Sequence, residues 1–230
     1  MTNSPSTPDA VTPDAPATPP KGKSAPQAER RQAALPVLEQ LAALYPHLFG
    51  AEFLPLKRGI FQDLLARHPE VFQRDSLKAA MALHARSTRY LQCVAAGKPR
   101  HDLDGAVVEP VAPEHLYQAQ VELFRRRQAR TRDDLRPRLR AQLSAAFEAS
   151  GLSRGDYLDR VQPADEAMAA LLHEALDASA AKLARQEALV RAYEASGKSA
   201  REFAEMYGVS ERDIQAALAR QRRTGGTPAA

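Results

Sequence analysis

The chain has no tryptophan and only one cysteine, Cys93, in 230 residues. A single thiol excludes an internal disulfide, so packing alone must hold the fold. It also fits a reducing compartment, where a lone cysteine is a small apolar core residue. No apolar run approaches the roughly 20 residues of a membrane span, and no charged-then-apolar leader opens the chain. We therefore expect a soluble, cytoplasmic protein with no membrane partner. Motifs for chemistry are missing too: there is no glycine-rich phosphate loop, no pair of zinc-binding cysteines and no zinc His-Glu motif. His47, His68, His84, His101, His115 and His173 are scattered, and nothing frames a nucleophile. Asp102 and Asp104 are too few oxygen ligands for calcium, with no distal glutamate. We expect no enzyme, no catalytic residue, no metal and no cofactor.

What is present is positive charge, unevenly placed. The net charge is only +4, but cations concentrate in two windows. The first runs from Pro55 to Gly105. It contains Lys57 and Arg58 before one helix, then Arg74, Lys78, Arg86, Arg89 and Tyr90 along the next, then Lys98 and Arg100. The second, Arg125 to Arg140, holds eight arginines, including Arg125, Arg126, Arg127, Arg130 and Arg132, against Asp133 and Asp134. Such runs are often just solvated surface. Few acids accompany them, however, and basic side chains clustered along one stretch are also the footprint of a nucleic-acid interface.

The pattern predicts a mainly α protein. Residues 1–31, rich in proline, threonine and alanine, lack the apolar weight to offset ordering and read as a disordered tail. A helix is expected from Gln32, with Leu35, Leu38, Leu41 or Ala42, and Tyr45 as its apolar face, stopped by Pro46. His47 to Gly50 reads as a turn. Pro55-Leu56 leads to a helix with Ile60, Phe61, Leu64 and Leu65, ending at His68-Pro69. A basic helix then runs to Gly97, capped by Asp75 or Ser76, with Leu77, Ala80, Met81, His84, Thr88 and Leu91 as its buried stripe. His84 on that stripe reads as core rather than ligand. Asp104-Gly105 between short extended runs predicts one small hairpin with a primed turn. Pro113 suits the start of another helix, bearing Leu116, Ala119 and Leu123 on one stripe and Tyr117, Val121 and Phe124 on a second. Residues 129–141 read as an arginine-rich linker or helix extension, broken or kinked at Pro137.

Within the C-terminal all-α region, residues 142–222, lies an internal repeat. Ala146-Phe147-Glu148-Ala149-Ser150-Gly151 matches Ala192-Tyr193-Glu194-Ala195-Ser196-Gly197, an offset of 46 residues. The copies span about 142–187 and 188–222, and each reads helix, Ser-Gly turn, helix, turn, helix. In the second copy, Phe203, Ala204, Gly208 and Ile214 resemble a helix-turn-helix, with Arg212, Gln215 and Arg220 available for contact. The first copy is degenerate, with Leu158, Gln162 and Pro163 at the corresponding places. Residues 223–230 read as a second tail.

Three blocks carry a resemblance: Pro55-Leu56-Lys57-Arg58-Gly59-Ile60-Phe61-Gln62-Asp63-Leu64, Arg89-Tyr90-Leu91, and Arg100-His101-Asp102-Leu103-Asp104-Gly105. In order and spacing they resemble the ProQ/FinO family of bacterial RNA chaperones, over about residues 32–128. Thr88 departs from the aromatic that often precedes the Arg-Tyr pair. The resemblance implies a helical RNA-binding domain with one β-hairpin. It implies binding of small RNAs and mRNA 3′ ends at terminator hairpins with a U-rich tail, which protects the end and promotes RNA–RNA pairing. It also implies a pocket for the terminal nucleotide at Tyr90 and Arg100, and phosphate contacts from Lys57, Arg74, Lys78 and Arg89. Two other readings stand beside it: a DNA-binding regulator acting through residues 199–220, and a helical protein-interaction module.

Overall fold

The structure, a computed structural model, describes residues 25–225, with side chains over 32–222. The expected tail up to residue 24 and the end beyond 225 lie outside the described residues. α1, Ala25–Leu44, begins seven residues before the expected Gln32. Pro26 is no obstacle, because the first turn of a helix has free N–H groups anyway. The buried face is Ala34, Leu41 and Tyr45 with part-buried Leu38, whereas Leu35 is 51% exposed. Leu35 sits one residue, about 100°, off that stripe. Pro46 ends α1, as expected, and starts a one-turn helix, α2 (Pro46–Phe49), in place of the expected turn. Leu48 and Phe49 from it enter the core.

α3 is Ile60–Arg67, introduced by Gly59 at φ 83°. A side chain there would be strained, so glycine is what lets the chain turn from Lys57 into α3. α4 is Arg74–Ala85 and α5 is Thr88–Ala95. One basic helix was expected here, and there are two. The cause is Ser87, whose side chain accepts from the backbone N–H of Tyr90 at 3.1 Å and opens a new helix. The break leaves Thr88 exposed instead of on the buried stripe. The cap position of α4 is Gln73, not Asp75 or Ser76; Ser76 donates back to the Gln73 carbonyl at 3.0 Å.

The hairpin is present: β1 (Arg100–His101) pairs antiparallel with β2 (Val107–Glu109). Its turn is not the primed type, because only Gly105 has positive φ (80°). Asp102 builds the turn instead, its carboxylate accepting from the N–H groups of Asp104 at 3.0 Å and Ala106 at 2.9 Å. The Pro55–Lys57 segment joins the other side of β1: Lys57 N–H donates to the His101 carbonyl, and His101 N–H to that of Pro55, both at 2.8 Å. The N-terminal core lies between these elements, with Leu41, Leu48, Ile60, Leu64, Leu77 and Leu103 buried together.

α6, Pro113–Gln128, starts on Pro113 as expected and buries both predicted stripes, because it faces two partners. Ala119 packs with Cys93 and Val94 of α5. Tyr117 and Val121 instead enter a second core with Leu139, Leu143, Tyr157 and Leu172. Pro137 does not break a helix; it lies in the first turn of α7, Arg136–Ser150. α8 is Arg154–Arg160 and α9 is Glu166–Ser196, a helix of 31 residues. α10 is Ala200–Tyr207 and α11 is Glu211–Gly225. α9 is at once the third helix of the first repeat copy and the first helix of the second. Gly151 and Gly197 end α7 and α9 in the left-handed conformation, at φ 66° and 61°. Ser153 and Ser199 then cap α8 and α10. Phe147 meets Tyr157 edge-on at 5.2 Å, and Tyr193 meets Phe203 at 5.6 Å.

Candidate nucleic-acid interface

A cleft of about 460 Å3 opens between the Lys57 segment, α3, α4, α5 and β1. Lys57, Arg74, Lys78, Tyr90 and Arg100 all line it, over a floor that includes Leu56, Ile60 and Met81. Arg74 and Lys78 are four residues apart on α4, so they share a face. Both are exposed, and neither has an ion-pair partner among the described residues. Lys57 is held 2.8 Å from Asp63, and that hydrogen bond raises its pKa.

Tyr90 and Arg100 are built into the floor. The Tyr90 hydroxyl accepts from the Leu56 N–H at 3.1 Å, and the Arg100 guanidinium donates to the Leu56 carbonyl at 2.8 Å. The backbone of Leu56 is thus held at both its N–H and its carbonyl. Burial, opposed by the Leu56 bond and by Arg100, pushes the Tyr90 phenol up, so it stays protonated. Since it accepts from Leu56, its own proton is left to donate. Arg100 is only 8% exposed. Its guanidinium also approaches His115 Nδ1 at 3.4 Å and Glu109 at 3.7 Å. Burial first, then Arg100, lowers the His115 pKa and keeps the ring neutral as an acceptor. Nothing in the sequence around Pro113-Glu114-His115 marked His115 as a partner of Arg100.

The other expected residues lie apart. Arg58 faces Glu109 at 3.7 Å and Glu114 at 4.0 Å, and lines a neighbouring cleft. Arg86 is exposed at the α4–α5 break, beside Arg126, which donates to the Arg86 carbonyl at 2.9 Å. Arg89 lies over the Phe53 ring at 4.3 Å and donates to the carbonyls of Gly50 and Ala51, fastening that loop. Lys98 is exposed just before β1. His84 is buried between the rings of Phe49, Phe53 and Tyr90, as core.

Residues 31–136 match the model of the ProQ/FinO family. They form a ProQ/FinO-family domain. The RNA chaperone ProQ of Shewanella amazonensis is 37% identical over 91 residues, which cover 38% of this chain and 42% of that protein. The chain thus spans less than half the length of that curated relative. A solved FinO-like RNA chaperone from Neisseria meningitidis is 30% identical, covering 39% of this chain and 93% of that one, with a TM-score of 0.36.

The ProQ/FinO domain reaches the start of α7, so most of the arginine-rich window belongs to it. Two arginines of that window are tied down: Arg125 to Asp165 at 2.6 Å and Arg126 to Glu122 at 2.8 Å. Arg127, Arg130 and Arg132 have no ion pair among the described residues. Beyond the ProQ/FinO domain, Arg212 and Gln215 of α11 are exposed, while Arg220 turns back to within 3.7 Å of Glu148. Among the described residues no group of three or more His, Cys, Asp or Glu is placed to hold a metal. Asp102 is spent on the hairpin turn and Asp104 on Arg67, at 2.6 Å. No described helix is long and apolar enough to cross a membrane.

Proposed function

We propose that this protein is an RNA chaperone that binds structured RNAs, small RNAs and mRNA 3′ ends among them, at a terminator hairpin with a U-rich tail. The observation that carries the reading is the gathering of Lys57, Arg74 and Lys78 around one cleft floored by Tyr90 and Arg100. Membership of the ProQ/FinO family supports it. Three cations around one cleft suit phosphates, Arg74 and Lys78 exposed and Lys57 paired with Asp63, and the first-turn amides of α4 add a positive helix end. Arg100, prefixed by Leu56 and His115, supplies a buried guanidinium that loses little entropy on meeting an anion or a hydroxyl. The Tyr90 proton can go to the terminal ribose. No bond is made or broken. Binding shields the 3′ end, and the cationic face lowers the repulsion between two RNAs that pair on it.

Competition binding tests this reading. A hairpin with a single-stranded U tail should displace itself far better than duplex DNA or an unstructured strand does. A phosphate on its 3′ terminus should weaken binding, because the pocket then holds a bulkier, more charged end. Duplex DNA competing as well as the RNA would instead favour the helix-turn-helix reading of α10 and α11.

A further inference from the structure

A second, larger cleft of about 960 Å3 runs along α6 and shares Tyr90 and Arg100 with the first. Its floor is apolar, with Leu91 and Val94 of α5. Its far wall lies outside the ProQ/FinO domain: Gln162 and Ala164, in the loop between α8 and α9. That loop is fixed at both ends. Val161 is fully buried, and Asp165, which caps α9, is bonded to Arg125 at 2.6 Å.

One buried polar group on the cleft wall has no partner among the described residues. It is the hydroxyl of Tyr117, a residue only 3% exposed; Arg100 Nε, also without a hydrogen bond, lies 3.7 Å from the Glu109 carboxylate. A buried donor left unmet is costly, and one bordering an open cleft marks a place where a polar ligand completes the bonding. The lining alternates in sign, with Arg58 beside Glu114 and the Gln162 amide opposite. A run of bare phosphates suits such a surface poorly. Nucleobases suit it well: their edges carry donors and acceptors, and their faces cover apolar side chains.

We propose that this cleft binds the unpaired RNA bases adjoining the terminus held at Tyr90 and Arg100, which makes the α8–α9 loop part of the RNA site. The proposal rests on the RNA reading given above. Its test uses the full chain and two hairpins, one with a 3′ tail of about four nucleotides and one of about eight. The wild-type protein binds the longer tail more tightly, by about tenfold or more, the effect of one or two seated bases. Ala164→Trp fills the cleft from an exposed loop position; it abolishes that gain and leaves the short-tail affinity unchanged. Gln162→Glu adds charge without bulk, burdens no core, and reduces the same gain. The same long-to-short ratio in wild type and both variants, or no gain in the wild type, overturns the proposal while leaving the pocket reading intact. A wild type that binds neither hairpin overturns both.

Discussion

At the scale of single residues, Tyr90 has two duties. The sequence places it on the border between an apolar and a basic face, and the structure gives its hydroxyl to Leu56 and its ring to His84. Tyr90→Phe strands the buried Leu56 N–H and should cost about 1–3 kcal/mol of folding stability, read by urea denaturation. RNA affinity should fall by a similar factor, and unchanged stability would show that the Leu56 bond contributes nothing. His84 makes a pH prediction. Burial, aided by Arg89, holds its pKa at about 4, against an ordinary 6.5. Its neutral form is the folded form, so its contribution is intact above pH 6.5 and is lost as pH falls toward 4. The whole effect is about 3 kcal/mol. His84→Phe should flatten the dependence of Tm on pH across that window; an unchanged slope would mean that other groups drive acid unfolding.

At the scale of elements, the break between α4 and α5 rests on one hydroxyl. Ser87→Ala removes the cap and should cost about 1 kcal/mol. It should also loosen Tyr90, whose N–H that cap holds, so RNA affinity should drop together with helicity measured by circular dichroism. Loss of stability with unchanged affinity would separate the cap from the site. This element also marks how far the sequence could be read. The helical spacing of Leu77, Ala80 and His84 was plain. A serine inside a continuous periodic pattern gave no sign that it would end one helix and start another. The pairing of Pro55–Lys57 with β1 was equally hidden, since three residues carry no strand pattern and their partner lies more than 40 residues away. Pro113, Gly151 and Gly197 were legible, because proline and glycine have few alternatives at helix ends. Of the cleft residues, Lys57, Arg74, Lys78, Tyr90 and Arg100 were picked from the sequence and lie together. His115 was not, because its role comes only from the approach of Arg100.

At the scale of the molecule, the two-stripe pattern on α6 acquires its meaning. One stripe serves the ProQ/FinO domain and the other serves α7 to α9, so the parts do not meet through a loose linker. Ending the chain after Gln128 would expose Tyr117, Val121 and Phe124, each large apolar side chain costing about 1.5–3 kcal/mol. The fragment 32–128 should therefore be measurably less stable than 32–222 in urea and prone to associate in light scattering. Equal stability would mean that the shared core adds nothing. The central claim, phosphate recognition at the cleft of Lys57, Arg74 and Lys78, is tested most directly by the salt dependence of binding to a hairpin RNA with a U tail. Log affinity should fall linearly with log salt concentration, and Lys78→Ala should flatten the slope by about one contact while lowering the affinity. Affinity indifferent to salt, or a Lys78→Ala slope equal to that of the wild type, would contradict it.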